Sequence, residues 1–367
     1  MIGEEPSKIR TPEAAEHAFI VRALTAVDVS EADARDVADV LVAADVRGVE
    51  SHGIARLDHF YVARIQGGAV VARPTYSVVR ETPTLLNFDA GNGLGHPVSK
   101  RAMERTIEKA RDRGVAWAAV RNSNHYGIAA YYAMMALEHD MIGWCTTNSS
   151  RLVVPTFGRV KTTGTNPIAV AIPAGEEQPY VLDMATSTVT YGRLEVAERK
   201  GKLLNPGWAV GPDGAETLDP TLAKLRGGNL PLGGFGTDNG GHKGYGLGVL
   251  VEILCAVLSG GPFGTDLMVP EDGMHGGYTS HFFGAMRIDA MRDPAEFKRD
   301  MDRELRAFKS SAPAPGQERV LVAGEPEYEF TERYRREGVP INDKVFDALD
   351  ALADRLDIPK LERFTVD

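Results

Sequence analysis

From Ser99 to Thr147 the chain alternates helix and strand within a short span. Ser99–Arg113 is amphipathic and stops at Gly114. Val115–Val120 reads as a strand, Ile128–Glu138 as a helix and Met141–Thr147 as a second strand. A strand, a helix and another strand in this order make a βαβ unit, which predicts a parallel pair with a right-handed crossover. The alternation continues. Tyr76–Arg80 and Thr84–Asp89 form an expected hairpin around Pro83. Ile168–Ile172, Tyr180–Met184 and His281–Ile288 read as further strands, and Thr188–Arg199 as a helix. The near-continuous apolar run Gly244–Leu258 predicts a buried helix. The expected class is therefore α/β (α+β) with a mixed sheet; the glycine and proline content is high for a helical bundle, and the glycines cluster instead of repeating as in a solenoid.

The ends of the chain differ from this middle. After Ser30-Glu31-Ala32-Asp33, an N-terminal capping pattern, Val37, Val40, Leu41 and Ala44 recur at helical spacing up to Gly48. A second helix is expected after Ser51, with Ile54, Leu57, Tyr61 and Ile65 on one face. Pro294–Lys309 and Asp343–Leu356 are helical, Arg319–Ala323 is a short expected strand, and Pro313–Gly316 is the clearest linker. We expect one mainly helical domain from residues 1–70 with 294–367, and a mixed-sheet domain over residues 75–290.

Composition narrows the function. Lys and Arg number 41 against 51 Asp and Glu, so the net charge of −10 disfavours nucleic acid as a partner, because phosphate neutralisation needs a basic patch. No apolar run approaches the ~20 residues of a membrane span, and the opening residues show no secretory signal. Cys145 and Cys255 lie singly in apolar runs, which fits a reducing, cytoplasmic compartment. There is no H-E-x-x-H and no G-x-S-x-G, so no metal and no serine nucleophile are expected. Gly91–Gly95 and Gly244–Gly248 are G-x-G-x-G, not the dinucleotide fingerprint G-x-G-x-x-G, and neither reads as a strand–turn–helix junction.

Several short segments carry chemistry. In Ser51-His52-Gly53-Ile54-Ala55-Arg56, a helix capped by Ser51 would put His52 in its first turn and Arg56 on the same face. Arginine offers a planar fork to a carboxylate, and an imidazole can transfer a proton near neutral pH. A surface pair beside a cap accounts for the same spacing. Asn122–Gly127 places His125 in a polar loop after a strand, a position where α/β folds bind ligands. Gly164-Thr165-Asn166-Pro167 precedes a buried strand, and turn chemistry explains it equally. Asp183-Met184-Ala185-Thr186-Ser187 sets a carboxylate at a strand end before hydroxyl residues. Leu230–Gly248 carries eight glycines with His242 and Lys243, which suits close approach of an extended ligand.

Taken in order, RGVESHGIARL, RNSNHYGIAAYYA, GTNPIAVAIPA, VLDMATSTVTYGRLEVAERKG, GGHKGYGLGVLVEILCAVLSG and LVAGEPE resemble the malate/L-lactate dehydrogenase family of the non-Rossmann type. That family includes ureidoglycolate, sulfolactate and diketogulonate oxidoreductases and the piperideine-2-carboxylate reductases. The resemblance spans Val37 to about Leu356. It implies a mixed-sheet domain that binds NAD or NADP without the glycine fingerprint, and a smaller domain built largely from terminal helices. The active site would lie in the cleft between them, in a homodimer. It further implies hydride transfer between the nicotinamide and a small 2-oxo or 2-hydroxy acid, or reduction of a cyclic imine. By motif, His52 would donate the proton, with His125 as the alternative acid/base. Arg56 and Thr165 would contact a small carboxylate substrate. Ser149, Asp183, Met184, Ala185, Lys243, Gly324, Glu325 and Pro326 would lie beside the cofactor. A non-catalytic nucleotide-binding protein is the remaining alternative.

Overall fold

The computed structural model describes residues 7–267 and 278–366. A short strand, β1 (Ile9–Thr11), precedes α1 (Glu13–Thr25) and α2 (Glu31–Val46), which pack side by side. α2 begins at the expected cap: Ser30 is extended and its hydroxyl accepts the Asp33 amide. The helix expected from Ser51 does not form as one piece. Glu50–His52 and Ile54–Arg56 are separate 3-10 turns, Leu57–Val62 is a π-turn, and α3 covers only Ala63–Gln66. The cause is local. The Ile54 amide donates to Oδ2 of the buried Asp45 at 2.5 Å instead of to an i−4 carbonyl, and Gly53 is extended between the turns. Ser51 therefore caps no helix, and no helix N-terminus underlies His52.

The middle of the chain runs β2 (Ser77–Glu81), β3 (Leu85–Asp89), α4 (Gly95–Arg113), β4 (Val115–Ser123), α5 (Ala129–Met134), β5 (Met141–Thr147), β6 (Ile168–Ile172) and β7 (Tyr180–Met184). Next come α6 (Tyr191–Arg199), β8 (Ala209–Val210), α7 (Pro220–Leu225), β9 (Gly228–Asn229), α8 (Gly241–Glu252) and β10 (Thr279–Arg287). Seven of these strands form one mixed sheet in the order β2-β3-β4-β10-β5-β6-β7. The parallel neighbours are β3 and β4, joined through α4. β4 and β5 are not neighbours, as the βαβ reading expected. β10 lies between them, antiparallel to both. Its residues from Ser280 to Ala285 are buried, and a strand apolar on both faces belongs at the centre of a covered sheet.

The junction β3–turn–α4 is a strand–turn–helix after all. Its glycines are nonetheless spent on the protein itself: a Cβ on Gly95 would fall 2.1 Å from the Asn124 carbonyl, and one on Gly93 would meet the Pro74 ring at 2.3 Å. The α8 helix also differs from expectation. Its Gly244 and Gly248 face packs on Leu232 and Thr186, while Leu247 and Leu250, and Ile253, Val257 and Leu258 in and after the π-turn Ile253–Val257 that follows, are exposed, Leu258 by 59%. The buried face is made of glycines with Val251, Glu252 and Cys255, so several of the large apolar side chains point outward.

The last segment contains α9 (Pro294–Lys309), α10 (Glu325–Glu337), β11 (Val339–Pro340), α11 (Asp343–Leu356) and β12 (Phe364–Thr365). One core cluster joins α4, α5 and the sheet through Met103, Ile107, Val120, Tyr132 and Phe283. A second joins the chain ends, with Phe19, Ile20, Leu41, Leu57 and Tyr61 against Phe346 and Leu349. The strands β11, β1 and β12 pair beside it. α9 attaches to the sheet instead, where Asp302 accepts the amides of Gly175, Glu176 and Glu177 between β6 and β7. Arg319–Ala323 forms no strand. The Ala323 carbonyl alone accepts the Val181 amide, which blunts the β7 edge. Among the described residues no helix is long and apolar enough to cross a membrane.

Candidate active site

The strand register gathers the motifs at one end of the sheet. Ser123 pairs with Thr279, Thr147 with His281, Thr146 with Ile168, and Ile168 with Met184. The loops at this end carry His125, Ser149 and Thr165, and Asp183–Ala185 lie at the close of β7. Beneath them the buried His281 ring bonds the Thr147 hydroxyl through Nδ1 at 2.7 Å and the Ser123 hydroxyl through Nε2 at 2.8 Å. It also stacks on Tyr126 at 4.4 Å, which ties the His125 loop to the sheet centre.

His52 and His125 face each other, with ring centroids 5.5 Å apart and 28° between planes. The Ser51 hydroxyl bonds Nδ1 of His52 at 2.9 Å, and Nε of Arg56 donates to the Ser51 carbonyl at 2.6 Å. Backbone folding around Ser51, not a shared helical face, thus brings His52 and Arg56 together. Arg56 also stands over Phe60 at 4.8 Å, and its Nε bond leaves the terminal nitrogens to form a fork. The Tyr61 hydroxyl lies 2.7 Å from Nδ1 of His125, and the Gly127 amide approaches the same nitrogen at 3.4 Å. An amide can only donate, so Nδ1 is an acceptor, Tyr61 donates to it, and the ring proton sits on Nε2.

Enclosure disfavours positive charge on these rings. Burial, helped by Arg56, pushes the pKa of His52 down to about 4. His125 is held well below the usual imidazole range by burial and by His52, His96, Arg56 and Arg64. Both rings are therefore neutral at neutral pH, in a pocket with guanidinium charge beside them. That field favours a bound anion, whose own charge would in turn raise both imidazole pKa values.

On the other side of the sheet end, the Ser149 hydroxyl accepts the Thr165 amide at 3.0 Å and contacts the Thr165 hydroxyl at 3.3 Å. Asn166 fixes this pair. Its Oδ1 accepts the Ser149 amide, and its Nδ2 donates to the buried Glu252 at 2.8 Å and to the Gly248 carbonyl at 2.9 Å. Asp183 ends β7 with its carboxylate on the Ala130 amide at 2.8 Å, at the start of the helix that follows His125. Cleft walls crowd this carboxyl and raise its pKa to about 6, although its surface is reachable from solvent. Met184 and Ala185 continue from it, half-buried.

Two expected groups stand apart from this cluster. Lys243 is exposed in the first turn of α8, with no hydrogen bond or ion pair to the other candidates. Gly324 packs on Val181 at the β7 edge, and Pro326 follows in the first turn of α10. The Glu325 carboxylate reaches Arg319 and the Val322 amide. Several glycines of Leu230–Gly248 serve close backbone contacts within the protein: a Cβ on Gly241 would meet the Gly234 carbonyl at 2.0 Å.

Sequence reasoning missed three members of the site. Tyr61 was read as part of an apolar stripe. His96, wholly buried beside Tyr61 and His125, has no hydrogen-bond partner on either ring nitrogen. It follows the discounted Gly91–Gly95 string, which was the available signal. Asp45 sits inside an otherwise apolar helical stripe, and a carboxylate at a core position was its signal. Among the described residues, no group of three or more His, Cys, Asp or Glu side chains is gathered for a metal ion.

Comparison with known proteins shows the family. Residues 12–350 match the family model described as malate/L-lactate dehydrogenase. A malate dehydrogenase of Pyrococcus horikoshii is 44% identical over 96% of this chain and 97% of its own length. The solved structure of malate dehydrogenase from that organism superposes with a TM-score of 0.88 at 41% identity, covering 98% of this chain and all of that one. An L-sulfolactate dehydrogenase of Methanocaldococcus jannaschii is 37% identical over 93% of this chain and 95% of its own length. A delta(1)-pyrroline-2-carboxylate reductase of Ancylobacter novellus is 31% identical over 96% of this chain and 99% of its own. Motif order, sheet topology and similarity along nearly the whole chain converge, and the chain belongs to the malate/L-lactate dehydrogenase family of oxidoreductases.

Proposed function

We propose that the protein is an NAD- or NADP-dependent dehydrogenase that interconverts a small 2-hydroxy acid and its 2-oxo acid. The observation that carries this reading is the facing pair His52 and His125, set beside the Arg56 guanidinium at the loop end of the sheet. The donor set fits a nicotinamide cofactor. Ser149 and Thr165 offer hydroxyls, Asp183 an accessible carboxylate, and Met184 and Ala185 a half-buried, largely apolar border. The Lys243 ammonium, with Gly324, Glu325 and Pro326, would hold the rest of that molecule. When bound, the reduced nicotinamide supplies a hydride to an electrophilic carbon.

The chain's own residues do the rest. Arg56 grips the substrate carboxylate through its terminal nitrogens, while its Nε bond to the Ser51 carbonyl fixes the fork. Thr165 completes the substrate side. The His125 ring, locked by Tyr61, presents Nε2–H to the oxygen that gains charge. His52 faces it as the second proton-handling imidazole, and the substrate carboxylate brings the negative charge that lets either ring carry a proton. The helices of residues 1–70 with α11, and the sheet over residues 75–290 with α9 docked on it, act as two units flanking the cleft.

The test is a panel of 2-oxo acids and cyclic imines, each with NADH and NADPH, followed by loss of reduced-nicotinamide absorbance. Turnover of oxaloacetate or pyruvate supports the reading. Turnover of a cyclic imine alone replaces it with an imine reductase, and cofactor binding without turnover of any compound replaces it with a nucleotide-binding protein. The rate should also survive a chelator. The exposed α8 leucines support a homodimer built on that face, and the two buried, unpaired thiols suit a cytoplasmic setting.

A further inference from the structure

The loop that carries His52 and Arg56 has little regular structure to hold it. Two short turns meet at Gly53, and neither turn is long enough to be stable alone. What lies under the junction is a carboxyl group. Oδ2 of Asp45, 5% exposed on α2, accepts the Ile54 amide at 2.5 Å. The Gly53 backbone rests directly on that carboxyl: a Cβ there would fall 2.0 Å from its Cγ and both oxygens. Behind Asp45 lies Glu16 of α1, wholly buried, its carboxyl set against that of Asp45.

We propose that Asp45 is the positioning residue of the site, the group that fixes His52 and Arg56 relative to one another through the Ile54 amide, and that Glu16 behind it is a neutral carboxylic acid. The inference rests on the dehydrogenase reading for its catalytic consequence, but not for its structural one.

Two carboxylates facing one another in a dry interior cannot both ionise. Burial, the Asp45 carboxyl and Glu13 hold the Glu16 pKa well above its ordinary value, and burial lifts that of Asp45 to about 7. Glu50, on the loop itself, adds negative charge on the third side. The pair therefore keeps at least one proton at neutral pH, held by Glu16, and the charge of ionised Asp45 strengthens the bond to the Ile54 amide. At alkaline pH the loss of the last proton would set two buried anions against each other beneath the loop.

Three variants test this. Asp45→Asn keeps the shape and loses the charge. It should make trypsin cleave after Arg56 about tenfold faster in the cofactor-free protein, and lower kcat/KM about 10- to 100-fold with cofactor affinity unchanged. Gly53→Ala, which pushes the loop off the carboxyl, should do the same with Asp45 intact. Glu16→Gln, neutral at every pH, should keep the wild-type cleavage rate and neutral-pH kcat/KM within about twofold, and retain activity on the alkaline side where the wild type declines. Wild-type cleavage rates in both Asp45→Asn and Gly53→Ala would overturn the inference. So would an Asp45→Asn protein whose cofactor affinity falls in step with its kcat/KM, since that is general damage. An inactive wild type would count against the dehydrogenase reading alone, because the cleavage rates still decide the role of Asp45.

Discussion

Tyr61 donates its hydroxyl hydrogen to Nδ1 of His125 across 2.7 Å, and both groups are shut away from solvent on that side. Burial raises the phenol pKa far above its ordinary value, so Tyr61 stays a donor throughout the working range. The tautomer of His125 is set by this bond. Tyr61→Phe should release the ring and lower kcat about 5- to 30-fold, the equivalent of roughly 1–2 kcal/mol, with cofactor affinity unchanged. Steady-state kinetics with a fluorescence measurement of cofactor binding checks this. An unchanged kcat would mean the ring is oriented by other contacts.

The two facing imidazoles should separate under mutation. Removing a general acid lowers turnover about 10²–10⁴-fold. The variant with the larger kcat loss, His52→Ala or His125→Ala, identifies the donor. The other should act mainly on KM, through the pocket's charge. Equal losses in kcat for both would mean that the two rings work as one relay.

Arg56→Lys should be costly even though the charge is kept. Lysine has no planar fork and no Nε bond to the Ser51 carbonyl. The expected loss in kcat/KM is about 1.5–3 kcal/mol, one to two decades, divided between kcat and KM. A loss explained wholly by weaker cofactor binding would remove Arg56 from the substrate side.

Acid should unfold the protein through its buried histidines. Burial holds both His96 and His281 near a pKa of about 3, against about 6.5 in an unfolded chain. The folded form stays unprotonated where the unfolded form binds protons. This contribution to stability is complete above pH ~6.5 and is lost as pH falls from there toward 3. Asp45 and Glu16, with raised values, act with the opposite sign and soften the decline. Denaturant midpoints measured between pH 7 and 4 should fall, and His96→Gln should make that fall shallower. An identical slope in the variant would show that His96 does not contribute.

In the proposed homodimer, charge on the exposed face of α8 and the π-turn that follows it, Ile253–Val257, should separate the subunits. Leu250 and Val257 are 44% and 48% exposed. Leu250→Asp with Val257→Asp should halve the mass measured by light scattering while leaving the melting temperature of the monomer near that of the wild type. A wild type that is already monomeric would show that the face has another use.

The sequence made some elements legible for physical reasons. α2 was readable because Ser30, an acidic first turn and an apolar stripe agree, and α11 because its apolar residues hold one face for its whole length. The hairpin of β2 and β3 was bracketed by Pro83. The His52 loop was misread because its apolar spacing is helical while its hydrogen bonding is not. Asp45, far from it in the helical pattern, diverts the Ile54 amide. Strand neighbours were not legible either. Nothing in Val115–Val120 or Met141–Thr147 states that β10 will come between them, because that choice is made by tertiary burial. The outward face of α8 was hidden for a related reason, since an apolar run does not say which side is covered.

The central position of β10 also bears on how the chain is made. Its two neighbours emerge from the ribosome more than a hundred residues before it does. At ~5–20 residues per second, β4 and β5 spend on the order of ten seconds with facing, unpaired edges. Those edges present unpaired backbone donors and acceptors, and a second nascent chain offers the same ones. A polypeptide released before Thr279 should thus be a substrate for chaperones and for aggregation, not a shorter folded protein. The strand that completes the sheet is also the one that decides, late in synthesis, whether there is a sheet at all.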